Sequence, residues 1–88
     1  MLFRSGDQAA EIKLFKFAPD VIQVPVGSTI TWTNADAIQH SVTATDGSFD
    51  SGFFTQGESY ARTFDQPGMY MYVCARHASM HGEVDVTE

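Results

Sequence analysis

From residue 11 onward no stretch of this sequence sustains a helical period. Short β-rich runs alternate with turn signals instead, a pattern that points to an all-β fold. Glu11–Phe17 (EIKLFKF) is one run, closed by Ala18-Pro19-Asp20, and Val21–Val26 (VIQVPV) follows, its Pro25 marking an edge strand or a bulge. Ser28–Asn34 (STITWTN) alternates cleanly, with Ile30 and Trp32 on one face and three threonines on the other. His40–Thr45 is the next strand, followed by a loop from Asp46 to Gly57 that carries Phe53-Phe54. Ser59–Phe64, Met69–Cys74 and Glu83–Thr87 complete the set, with Gln66-Pro67-Gly68 as a turn. Met69–Cys74 is apolar on both parities and reads as a central strand. About seven to eight short strands at near-regular spacing predict an antiparallel β-sandwich.

With 88 residues there is material for one core only. Residues 11–88 are expected to form that domain, and residues 1–10 an N-terminal extension or an extra edge strand built on Leu2 and Phe3. A domain this small gains from a staple such as a metal. Five Lys+Arg against eleven Asp+Glu give a formal charge of −6, which argues against a nucleic-acid binder with its basic patch and suits steering toward a positively charged partner. No apolar run reaches membrane-spanning length, so no membrane partner is expected. Residues 1–10 lack the apolar stretch of a secretory signal, so an exported form would have lost its leader, with Met1 an added start.

The chemistry concentrates in Tyr72–Gly82 (YVCARHASMHG), which holds the single Cys, two of the three His and one of the four Met. The spacing is Cys-x2-His-x2-Met, set directly after the central strand. The remaining histidine, His40, opens another strand. One cysteine forms no intramolecular disulfide, which leaves Cys74 a reactive thiol, a metal ligand or an inert core residue. A thiolate with two imidazoles and a long thioether bond is the blue-copper arrangement. The same donors suit a Cu(I)-handling protein, and a Cys with two His and one further donor also holds structural zinc.

In its motifs the chain resembles the cupredoxin, or blue-copper, family, and within it the amicyanin-like and plastocyanin-like members. The resemblance covers roughly residues 11–88. It rests on Tyr72-x-Cys74-x2-His77-x2-Met80-x-Gly82, whose short loop is amicyanin-like, and on Pro67-Gly68-x-Tyr70 before it. Upstream it rests on Phe17-x-Pro19, Val24-x2-Gly27-x4-Trp32-x-Asn34 and Asp36-x3-His40-x-Val42. The resemblance implies a Greek-key cupredoxin sandwich holding one copper ion per chain. It implies His40, Cys74 and His77 as the strong ligands and Met80 as the axial thioether. Asn34, Ser41, Arg76 and His81 become candidates for the surroundings of those ligands. It also implies a monomeric, periplasmic or otherwise exported one-electron carrier. Its partners would be redox proteins such as a c-type cytochrome or a dehydrogenase, docking near His77 on Ala37, Ile38 and Ala78.

The chain departs from the amicyanin-like loop in having Arg76 and Ala78 where prolines usually flank the second histidine. A positive charge at Arg76 beside the metal favours Cu(I), and His81 is a competing axial donor that is expected to face solvent where Gly82 turns the chain. Trp32 and Tyr70 read as core, with the Tyr70 hydroxyl anchoring a strand corner. Met69 and Met71 read as packing, and Phe53-Phe54 as a plug under the long loop. Enzyme chemistry is not expected, because a second copper centre would find only His81 left over and a binuclear one would need a second Cys.

Overall fold

The computed structural model describes residues 6–88, so the expected edge strand on Leu2 and Phe3 lies outside the described residues. Eight strands form a sandwich: β1 (Gln8–Lys13), β2 (Lys16–Ala18), β3 (Val21–Pro25), β4 (Ser28–Asn34), β5 (Thr43–Ala44), β6 (Ser59–Phe64), β7 (Gly68–Cys74) and β8 (His77–Thr87). One sheet has the order β2-β1-β4-β6 and the other β3-β8-β7-β5. Pro25 sits on edge strand β3, where its missing N–H costs no ladder bond. β7 is central, between β8 and β5.

The pairing is mixed rather than wholly antiparallel. β1 runs parallel to β4, and β3 runs parallel to β8. The chain leaves the first sheet after β2, contributes β3 to the second and returns for β4, and such a crossing between sheets permits parallel neighbours. The run Glu11–Phe17 is likewise not one strand. It folds back between Lys13 and Lys16, so that Ile12 lies opposite Phe17 and both enter the core. A straight strand would set Ile12 and Phe17, five positions apart, on opposite faces; the fold-back puts both on the inner one, and the two turn residues, Leu14 and Phe15, carry no turn signature.

His40–Thr45 is only partly a strand. His40 makes an isolated bridge to Phe54, and regular pairing begins at Thr43. Ser51 closes the gap: its hydroxyl accepts from the Val42 N–H at 2.8 Å and its own N–H donates to the Val42 carbonyl at 3.0 Å. The last strand starts six residues before the expected Glu83, at His77, with a register shift between Val73 and Cys74 that sets Cys74 opposite His77.

The core is aromatic. Trp32 and Tyr72 are fully buried and meet edge-on at 5.3 Å between ring centroids, with Phe17 edge-on against Tyr72. The Tyr70 hydroxyl donates to the Gln66 carbonyl at 2.8 Å, the expected strand corner. Three expectations fail here. Met69 and Met71 do not pack; they are 64% and 42% exposed, because on β7 the inward positions belong to Tyr70, Tyr72 and Cys74. Phe54 is buried but Phe53, one residue away, points to water. Gly82 does not turn the chain; it is mid-strand, where a Cβ would lie 2.5 Å from the Tyr72 ring.

Candidate metal centre

Three of the expected ligands converge. Cys74 ends β7 and is fully buried, and His77 starts β8 after a tight connection of two residues, Ala75 and Arg76. His40 arrives from the other direction, after the loop that follows β4. The Nδ1 atoms of His40 and His77 each lie 3.6 Å from the Cys74 Sγ, and the three donor atoms fall within 4.8 Å of one another. Cys74 and His40 are buried and His77 is half-buried, so one imidazole edge reaches toward solvent.

The loop before His40 is held by Asn34, itself fully buried at the end of β4. Its amide donates to the carbonyls of Ile38 at 2.9 Å and Phe54 at 3.0 Å, and its Oδ1 accepts from the Asp36 N–H at 2.8 Å. A side chain that uses both ends of its amide in this way fixes a loop that has no ladder of its own. Ser41 supports the second half of the site. Its hydroxyl accepts from the Ala75 N–H at 2.9 Å, between Cys74 and His77, and lies 2.9 Å from the Thr43 hydroxyl. Thr43 donates onward to Asp50 at 3.1 Å, so a relay of donors runs from the ligand loop to the surface.

Asp36 has no role in the sequence pattern alone, and the structure supplies one. Its Oδ2 lies 2.9 Å from the Nε2 of His40, which leaves the Nδ1 lone pair facing the sulfur when Nε2 carries the proton. Desolvation works to raise the Asp36 carboxyl, but hydrogen bonds from the Phe15 and Leu14 N–H groups and from His40 outweigh it and hold it below the usual value. Phe15 is the residue that sequence reasoning missed. Its ring stands edge-on against both His40 and His77, at 5.2 and 5.1 Å between centroids. Nothing in the local pattern marks it, because its place depends on a turn that brings it across from the first sheet.

Arg76 does not stand free beside the sulfur. Its guanidinium lies 4.7 Å from the centroid of Phe53, so the exposed half of the Phe53-Phe54 pair carries a cation on its face. His81 is exposed, as expected. Met80 is 4% exposed and shares with Phe15, Phe17 and His81 the lining of a groove of about 500 Å³.

The donor set passes a simple fit test. Metal–nitrogen bonds of about 2.0 Å and metal–sulfur bonds of about 2.3 Å, at angles between tetrahedral and trigonal, place nitrogen and sulfur roughly 3.5–3.7 Å apart. Both nitrogens meet that separation from one sulfur. Ion pairing or a plain hydrogen bond would ask this of one histidine, not two.

Comparison with known proteins agrees. A family model described as copper binding proteins, plastocyanin/azurin family, matches residues 5–87. Amicyanin-alpha of Methylorubrum extorquens is 30% identical over 87 residues, covering 93% of this chain and 73% of that protein. Amicyanin of Paracoccus versutus is 30% identical over 80 residues, covering 85% of this chain but only 61% of that protein. Among solved structures, a purple cupredoxin from Nitrosopumilus maritimus superimposes with a TM-score of 0.83 at 26% identity, over 91% of this chain and 99% of that one.

Proposed function

The chain belongs to the plastocyanin/azurin family of copper-binding proteins, and on that premise we propose that it is a type 1 copper protein carrying single electrons between redox partners. One observation supports this most: two imidazole nitrogens at the same 3.6 Å from one buried thiol sulfur, the spacing a shared metal requires. Copper supplies the redox couple when bound; the protein supplies a donor set that suits both oxidation states. Cys74 holds the thiolate in a dry pocket, His40 is fixed by Asp36, and Ser41 pins the backbone of the ligand loop. Ligands held by the fold before the metal arrives move little when the charge changes, which keeps transfer fast. Met80 would supply the fourth, thioether donor when copper binds: it is buried three residues beyond His77, while His81 faces water.

His77 is the exit route for the electron in this reading, because it alone of the three strong ligands reaches the surface. Ala37, Ile38 and Ala78 are exposed, Ile38 by 44%, and they supply an apolar landing for a transient partner such as a c-type cytochrome or a dehydrogenase. The chain is read as a carrier and not an enzyme, with amicyanins as its relatives. An exported, oxidising compartment suits a protein that keeps its only thiol on a metal.

The test is a Cu(II) titration of metal-free protein followed by visible absorption and electron paramagnetic resonance, repeated with Cys74→Ser. An intense band at one copper per chain, bleached by ascorbate and lost in the variant, is expected. A colourless complex overturns the carrier reading and turns attention to zinc retention and Cu(I) transfer.

A further inference from the structure

The tip of the β1–β2 hairpin is built against local preference. Leu14 and Phe15 both take positive φ, 54° and 60°, where two-residue hairpin turns favour Asn, Asp or Gly. Burial does not offset the strain, since Leu14 is 75% exposed and Phe15 45%. What holds the tip is the Asp36 carboxylate. Oδ1 accepts from the Leu14 N–H at 2.7 Å and Oδ2 from the Phe15 N–H at 2.9 Å. The same Oδ2 lies 2.9 Å from His40 Nε2. One side chain therefore joins a strained turn of the first sheet to a ligand of the metal centre, and the ring carried by that turn stands edge-on to both imidazoles at an interplanar angle of 84°.

We infer that Asp36 is a positioning residue with two linked tasks. It holds His40 with Nε2 protonated and Nδ1 free toward the Cys74 sulfur. It also clips the hairpin tip over the centre, so that Phe15 closes one side of it to water and small ligands. The inference rests on the copper reading above. A carboxylate on the far nitrogen of a ligating imidazole raises the basicity of the ligand and favours the more highly charged ion, here Cu(II) over Cu(I). Asparagine is no substitute. Three donors converge on Asp36, and an amide offers one acceptor oxygen while turning an NH₂ toward the remaining N–H groups.

Two variants separate the tasks. Asp36→Asn removes the charge and the clip together, whereas Leu14→Asn with Phe15→Gly installs a favoured turn, keeps Asp36 and removes the ring. Cu(II) affinity in Asp36→Asn is expected to fall about tenfold with little change for Cu(I), which raises the midpoint potential by about 59 mV. Azide is expected to perturb the copper absorption band of both variants and not that of the wild type. A purely structural Asp36 would lower the melting temperature and leave potential and azide response alone, and that result overturns the inference. Should Asp36→Asn fail to fold, the double variant still tests the ring: an azide-inert copper site there overturns the screening role. Nitrogen-15 shifts of His40 in metal-free wild-type protein test the hold on the His40 ring without copper, and a proton on Nδ1 in the neutral ring overturns it. A wild type that binds no copper defeats the carrier reading instead, and leaves this last measurement to decide the role of Asp36 by itself.

Discussion

The indole N–H of Trp32 donates to the hydroxyl of Tyr72 at 3.3 Å, carrying a polar link from one sheet to the other through the middle of the core. Burial of the phenol pushes its pKa up to about 12, with the Trp32 bond opposing and the charge of Asp20 adding to the rise. A neutral acid favoured by the folded state contributes stability that is complete below its unfolded value, about 10, and is lost as pH rises through the folded one. Alkaline unfolding between roughly pH 10 and 12 is expected, followed by far-ultraviolet circular dichroism. Tyr72→Phe should lose about 1–3 kcal/mol at neutral pH, having left the indole N–H unpaired. It should also flatten the alkaline limb; a limb as steep as that of the wild type assigns the effect to another group.

Gly82 is the second point of close approach. Its place in mid-strand against the Tyr72 ring leaves no room for a methyl group. Gly82→Ala is expected to cost about 1–3 kcal/mol in urea unfolding, in spite of the better strand propensity of alanine. A neutral result would mean that the ring shifts freely.

Ser41→Ala removes the acceptor of the Ala75 N–H. The loss expected is about 1 kcal/mol, the usual worth of one such bond. Hydrogen exchange should locate it: the Ala75 amide should exchange faster in the metal-free variant while the amides of β4 keep their protection. Equal acceleration along both stretches would contradict a local role.

Glu83 and Asp85 stand two apart on the outer face of β8. The hydrogen bond with Asp85, together with desolvation and the neighbouring negative charge, holds the Glu83 carboxyl above its ordinary value of 4.5. A raised carboxyl contributes stability below the unfolded value that disappears as pH rises through the folded one. Melting temperature should therefore fall with rising pH just above pH 4.5, and Glu83→Gln should remove that fall. An unchanged profile in the variant places the repulsion elsewhere.

Much of this architecture was legible from local pattern. Strand periodicity gave the Ser28–Asn34 alternation and the central place of Met69–Cys74, and the spacing of Cys74, His77 and Met80 gave the ligand loop. What escaped depends on groups distant in sequence. The Leu14-Phe15 turn has no turn residues because Asp36, more than twenty positions on, supplies its hydrogen bonds. The exposure of Met69 and Met71 follows from a parity that an all-apolar run hides. The parallel pairs follow from the order in which the chain changes sheets, which no local pattern records.

The pairing of Val21 with Glu83 has a consequence for a nascent chain. β3 cannot find its neighbour until β8 has left the ribosome, 62 positions later by the difference of those two numbers. At synthesis rates of about 5–20 residues per second, that edge waits roughly 3–12 seconds. β8 then enters the sheet as an interior strand, seating itself between β3 and β7. Three of the four side chains assigned to the metal, Cys74, His77 and Met80, emerge with the end of β7 and with β8. The full donor set is therefore assembled only after β4 and the loop bearing His40 have already been translated.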